Sequence, residues 1–262
     1  AYHIVGHVLH ELGADVVLIG AQPDGLNINQ ECGATHSETI QQAVKKHKAD
    51  IGIALDGDGD RLIMADNKGQ IYDGDQLVCI IAKHRQNDDS LNGGVVGTLM
   101  TNLAIENYYK KSGIPFTRAK VGDRYVLELL QEKGWELGGE GSGHIICLDK
   151  HSTGDGIISA LQVLHAMKDA NKTLAELLRG VGLYPQQLIN IKITKGFDFL
   201  AIKSVKAAQI KAENDLEKKG RVLIRASGTE PLVRVMVEGE SKQKVNHWAE
   251  YISNILRKEI NL

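Results

Sequence analysis

The chain has 262 residues, 42% of them hydrophobic and 24% charged, with a formal net charge of -2, a globular composition with room for several cores. No apolar run approaches the roughly 18 residues a membrane helix needs, and no basic and apolar leader opens the chain; so small a net charge excludes a broad basic face for nucleic acid or an anionic membrane. Three cysteines without a CxxC pair exclude a disulfide scaffold and fit a reducing, cytoplasmic setting.

In chain order, Ala1 already lies in an amphipathic helix that Gly13 ends, and a buried strand is predicted over 15–19. In an open α/β sheet such a helix follows a strand, so an N-terminal truncation is expected. The turn-rich segment 22–35 leads to a helix ending at Lys48, with Thr35 and Glu38 spaced as a capping box, and IGIAL at 51–55 reads as a buried strand that completes a βαβ step. A hairpin is expected over 61–72 around Asn67-Lys68-Gly69, then a helix over 75–84, and the polar stretch HRQNDDSLNGG sets a domain boundary near residue 91. The second block carries strands at 95–97, 116–119, 135–138 and 144–148 and helices at 102–111, 124–133 and 155–170. From about residue 186 the pattern changes to a strand at 187–194, a helix at 204–218, paired strands at 221–225 and 232–238 and a helix from Lys242. The expected class is α/β: two consecutive mixed-sheet α/β domains, 1–91 and 92–185, then a small α+β domain, 186–262.

The sharpest chemical signal is DGDGDR at 56–61, directly after an apolar strand. Its glycines let the backbone curl so that Asp56, Asp58 and Asp60 converge on one hard cation, Mg2+ being the natural candidate. An EF-hand is excluded, because Arg61 stands where that loop needs glycine and Asn67 where it needs glutamate. A phosphatase with an aspartyl nucleophile stays open. A second loop, RASGTEP at 225–231 followed by Arg234, offers guanidinium groups, hydroxyls and a Gly-freed N–H, a donor set suited to phosphate. A third, GGEGSGH at 138–144, lets Glu140, Ser142 and His144 reach into a cleft, Glu140 suiting sugar hydroxyls, Ser142 a polar contact, and His144 standing as a general acid/base candidate. Lys120, Gly122, Asp123 and Arg124 add a cation pair and a helix N-terminus. No GxxxxGK[ST], GxGxxG, HExxH or zinc-type Cys/His spacing occurs. His3, His7 and His10 share one helix and are assigned no role.

These loops, with GADVVLIG, DGLNIN, DGDGDRLIMAD, GGVVGTLMTN, GIPFTRAKVGDRYVLE, SGHIICLD, STGDGI and RASGTEPLVRVMVEGE in order, resemble the α-D-phosphohexomutase superfamily over nearly the whole chain, its amino-sugar branch in particular. The resemblance implies four domains around a central cleft, this chain supplying most of the second, the third and the fourth. It further implies interconversion of glucosamine 6-phosphate and glucosamine 1-phosphate through a 1,6-bisphosphate, with an enzyme phosphoserine as donor and acceptor. By resemblance, Asp56, Asp58 and Asp60 hold Mg2+, Arg61 binds the transferring phosphoryl group, and Glu140 and Ser142 grip sugar hydroxyls. His144 moves a proton, and Arg225, Ser227, Gly228 and Thr229 anchor the other phosphate. The family's Ser-His-Asn type loop does not occur in these residues, so the chain alone is expected to be inactive and to bind Mg2+ more weakly. Gly141 stands where the family carries Gln or Asn, which leaves phosphomannomutase or phosphoglucomutase specificity open. A non-catalytic phosphosugar-binding module is the rival from another class, and a homodimer of the full-length form is left open.

Overall fold

The apolar run 15–19 finds no strand partner. In a computed structural model, which describes residues 1–193, 198–227 and 230–260, Val17, Leu18 and Ile19 are 54%, 53% and 41% exposed. This corrects the expected buried strand: a strand needs a neighbouring edge for its backbone groups, and among the described residues none pairs with this segment. Helix α1 (Val5–Glu11) buries none of its side chains.

Helix α2 (Ser37–His47) starts after His36, which caps it without a side-chain bond. The expected capping box therefore does not form, since with His36 at the cap Thr35 lies one residue too early to reach the third helical N–H. Thr35 Oγ1 instead lies 3.2 Å from His36 Nδ1. Ile40 and Val44 of α2 pack on Ala54, Ile63 and Ala65 of strands β1 (Ile51–Leu55) and β2 (Leu62–Asp66). With β3 (Ile71–Tyr72) these form an antiparallel meander in the order β1-β2-β3, so the expected βαβ step is replaced by consecutive antiparallel strands. The predicted hairpin is present. Asp66 organises its turn by accepting from Lys68 N–H (2.9 Å), Gln70 N–H (2.9 Å) and Tyr72 O–H (3.1 Å).

Helix α3 (Gly74–Asn87) opens on a capping box between Asp73 and Gln76 and packs on both a strand and a helix, which is why Leu77 to Ala82 are buried on nearly every side. The elements that follow are β4 (Val95–Thr98), α4 (Leu103–Ser112), β5 (Phe116–Ala119), α5 (Asp123–Lys133), β6 (Leu137–Gly139), β7 (Ile145–Cys147), α6 (Gly156–Ala170) and α7 (Leu174–Leu177). The sheet runs β5-β4-β6-β7, with β4 parallel to β5 and β6 and β7 antiparallel to β6. It is the mixed sheet expected from the pattern. Val96, Ala119, Val126, Leu130 and Ile146 form a core cluster between this sheet and α5.

Residues 1–101 and 108–181 make one compact unit, and 102–107 with 182–262 the other. In the second, β8 (Gln186–Lys192), α8 (Lys203–Asp215), β9 (Gly220–Ala226), β10 (Leu232–Gly239) and α9 (Lys242–Ile260) form an antiparallel sheet β8-β10-β9 covered by two helices. Val233, Val235 and Val237 alternate inward along β10 against Ala212, Trp248, Ile252 and Leu256. The end of the strand expected over 187–194 lies outside the described residues. Glu238, fully buried, takes Arg221, Gln186 Nε2 (3.0 Å) and the Leu103 N–H (3.2 Å). Among the described residues no helix is long and apolar enough to cross a membrane.

Candidate functional site

The loop leaving β1 at Leu55 curls through Gly59, whose φ of +76° lies in the left-handed region. The curl brings one carboxylate oxygen of each of Asp56, Asp58 and Asp60 within 4.8 Å of the others. Arg61 donates its N–H to Asp56 Oδ1 (3.1 Å), and its Nε lies 3.5 Å from Oδ2. His144 Nδ1 lies 3.0 Å from Asp60 Oδ2, while Asp60 Oδ1 is buried without a hydrogen-bond partner. Burial above all, then the charges of Asp60 and Asp58, hold the Asp56 carboxyl above its ordinary range, against the Arg61 N–H, which lowers it. Three crowded hard oxygens with one buried lone-pair set left over match what Mg2+ asks of a site. The triad also weighs against a phosphatase nucleophile at Asp56, whose side chain is only 5% exposed and has both oxygens beside Arg61.

The second loop turns between β6 and β7. Glu140 N–H bonds His144 O (3.0 Å), Gly143 N–H bonds Glu140 O (3.0 Å), and Leu62 N–H reaches back to Gly143 O (2.9 Å). Gly143 has φ +99°, and a Cβ there would lie 2.9 Å from Leu62 N, so this close approach requires glycine. Gly74 N–H, opening α3, bonds Gly141 O at 3.2 Å. Glu140 Oε1 accepts from Gly122 N–H (2.8 Å) and Oε2 from Ser142 Oγ (3.4 Å), which gathers Glu140, exposed Ser142 and Gly122.

His144 is only 4% exposed, and its backbone is bridged to Arg61. Arg124 meets a partner on its own helix. It lies along α5 and pairs with Glu128 at 2.7 Å, both exposed, as an (i, i+4) surface pair. Asp123 is exposed in the first turn of α5, and exposed Lys120 holds its Nζ 5.6 Å from the Tyr125 ring centroid. The segment STGDGI at 152–157 carries the resemblance and a helix start but no assigned site residue, yet Gly156 N–H bonds Gly59 O at 2.8 Å. Its signal was available, an Asp between glycines where a helix begins. Asp73 and its Gln76 partner carry an equally readable capping spacing.

The third set lies in the C-terminal unit. Arg225 on β9 stands directly opposite Arg234 on β10, so both project from one face of the sheet. Arg234 Nη2 lies 3.4 Å from Ser227 Oγ and 3.4 Å from Glu230 Oε2, and Glu230 N–H also reaches Ser227 Oγ at 3.3 Å. Two guanidinium groups and a hydroxyl are thus assembled around the β9–β10 turn. Gly228 and Thr229 lie outside the described residues.

Models of three phosphoglucomutase/phosphomannomutase domains match the chain in sequence: α/β/α domain II over 1–69, α/β/α domain III over 73–184 and the C-terminal domain over 188–255. The chain belongs to the phosphoglucomutase/phosphomannomutase family. Helix α3 falls within the domain III match, which begins well before the polar stretch near residue 91. The chain is 69% identical over 256 residues to a phosphoglucosamine mutase of Nitrosospira multiformis, covering 98% of this chain and 55% of that protein. It is 60% identical to one of Nitrosomonas europaea, with 98% and 56% covered. It therefore spans little more than half the length of the curated relatives it matches. Among solved structures, Aspergillus fumigatus N-acetylphosphoglucosamine mutase in complex with GlcNAc-6P and magnesium aligns with a TM-score of 0.78 at 23% identity, covering 98% of this chain and 59% of that one. A Burkholderia thailandensis phosphoglucomutase/phosphomannomutase family protein aligns with 0.76 at 21%, covering 95% and 56%. These two likenesses carry the fold.

Proposed function

We propose that this chain carries the metal, sugar and phosphate loops of a phosphoglucosamine mutase, which interconverts glucosamine 6-phosphate and glucosamine 1-phosphate through a 1,6-bisphosphate in the cytoplasm. The observation that carries the reading is the Asp56, Asp58 and Asp60 triad with its unpartnered Asp60 oxygen. Those three side chains hold Mg2+ in this proposal, and the cation supplies charge neutralisation for the phosphoryl group in transfer. Arg61, with a side chain 45% exposed beside Asp56, binds that same group. Glu140 and Ser142 hold sugar hydroxyls beside Gly122, with Lys120 and Asp123 at the neighbouring helix start. Arg124 joins them by leaving Glu128, since so exposed a pair holds it only weakly. Arg225, Ser227 and Arg234, together with Gly228 and Thr229, bind the phosphate that does not react. The register that sets both guanidinium groups on one face of the sheet, with Ser227 Oγ beside Arg234, supports that assignment.

Calorimetric titration of glucosamine 6-phosphate with Mg2+ tests the reading. Binding is expected in this chain and loss of affinity in Arg225→Ala; equal affinity in the variant would remove the phosphate loop. Glucose and mannose phosphates in the same titration test the specificity left open by Gly141, and tighter binding of either would move the substrate assignment. Turnover is expected only when a phosphoserine-bearing domain is supplied.

A further inference from the structure

Resting on the metal-loop reading, we infer that Gly156, the first residue of α6, is a positioning residue for the loop 56–60. Its N–H fixes the Gly59 peptide and so aims the side chains of Asp58 and Asp60 on either side of it. The donor is left over by the way the helix starts. The first N–H groups of a helix have no partner within it, and here Asp155 at the cap accepts from Ile157 N–H (2.8 Å) and Ile158 N–H (2.9 Å) through one oxygen. Gly156 N–H is passed over by the cap and bonds Gly59 O at 2.8 Å instead. Inside the loop, Gly59 N–H bonds Asp56 O at 3.2 Å. Gly59 is therefore held through both of its backbone polar groups, one from within the turn and one from a helix distant in sequence.

Sterics make the same demand at the same position. A Cβ on Gly156 would lie 2.6 Å from Leu55 Cδ2, 2.8 Å from Arg61 O and 2.9 Å from Gly59 O, contacts that touch the loop at both ends and in its middle. A side chain here has to lift the loop off the helix. The φ of Gly156 is not in the left-handed region, so glycine is required by close approach and not by backbone strain. The helix start is itself anchored: Gly156 is buried, α6 packs on β1, β2, β7 and α3, and Gly154 forms a backbone bridge to Ile146 of β7. A glycine-rich loop that has many conformations of its own thus takes one shape against a fixed point. Groups that orient a metal's ligands from behind alter affinity by about 10–100-fold when removed.

The test uses Mn2+ alone as probe, with free Mn2+ read by electron paramagnetic resonance below the melting onset of each variant, so no turnover is needed. Gly156→Ala forces loop and helix apart and is expected to weaken binding by about 10-fold or more. Asp155→Asn and Asp155→Ala remove the same charge, but asparagine still caps a helix and alanine does not. Asp155→Ala is therefore expected to bind Mn2+ several-fold more weakly than Asp155→Asn, a comparison that decides the matter even where Gly156→Ala does not fold. Thr173→Ala, which removes the capping box of α7, is the control for a merely structural role: it should lower the melting temperature and leave Mn2+ affinity unchanged. Wild-type affinity in a folded Gly156→Ala, or equal affinity in the two Asp155 variants, would overturn the inference. No binding by the wild-type chain, with Asp58→Asn indistinguishable from it, would instead overturn the metal-loop reading itself, and this inference with it.

Discussion

Replacing Asp56 by Asn sets stability against metal binding in one substitution. Two carboxylates with oxygens within 4.8 Å of each other repel by at least about 0.9 kcal/mol even at the dielectric of water, and Asp56 faces two such neighbours. Asparagine keeps an oxygen for the Arg61 N–H (3.1 Å) and loses only the 3.5 Å approach of Arg61 Nε, on a side chain 45% exposed. Such a pair contributes about 0.5 kcal/mol. The balance stabilises the metal-free variant by about 1 kcal/mol, a rise in melting temperature of about 2–4 °C for a unit of this size. The pH dependence follows with a definite sign. Because burial and its neighbours hold the Asp56 carboxyl above 3.8, the folded state keeps a proton that the unfolded state releases. The metal-free wild type therefore loses stability as pH rises from the ordinary carboxylate range through the raised value, and the difference from Asp56→Asn grows over that window. Differential scanning calorimetry in EDTA and in excess Mg2+, across pH 3–7, reads both effects. Mg2+ should raise the wild-type melting temperature and leave the variant's unchanged. A lower melting temperature for Asp56→Asn in EDTA would refute the account, because it would make the carboxylate cluster stabilising without its cation.

Three further outcomes test the packing around the loops. Burial pushes the thiols of Cys79 and Cys147 up to about 12 and about 11, whereas Cys32 is half-exposed, so a thiol reagent at neutral pH should titrate one cysteine in the native chain and all three after unfolding. Glu238→Gln should destabilise the C-terminal unit by about 2 kcal/mol, because it turns charge-assisted hydrogen bonds at a fully buried carboxylate into neutral ones; chemical denaturation followed by Trp248 fluorescence reads this. Asp73→Ala removes the capping box of α3 and should lower stability by about 1 kcal/mol in a denaturant titration followed at Trp135, which lies in the first unit.

Most of the fold was legible where local pattern and burial agree. The hairpin around Asn67-Lys68-Gly69, the mixed sheet and the closing α+β unit all follow from periodicity and turn residues. Pattern misled where an element depends on an edge supplied from elsewhere: 15–19 is as apolar as β4, but apolarity alone forms no ladder. The Thr35 and Glu38 spacing failed for a local reason, a helix start displaced by one residue onto His36. Both errors concern which competing arrangement wins, and short-range sequence carries little of that information.

The site divides along the same line. The residues with chemistry of their own were visible because glycines concentrate them in short loops, as at 56–61 and 138–144. Their partners were not visible, because the distances that matter span the chain: His144 lies 84 residues from Asp60, and Gly156 reaches back to Gly59. The two arginines of the proposed phosphate loop show most directly what sequence alone leaves out. Arg225 and Arg234 are two basic residues flanking a turn until the register of β9 and β10 sets them face to face. Only then do two guanidinium groups share one face of the sheet, with Glu230 standing beside Arg234 at 3.4 Å, a juxtaposition that the separation of nine residues in sequence does not reveal.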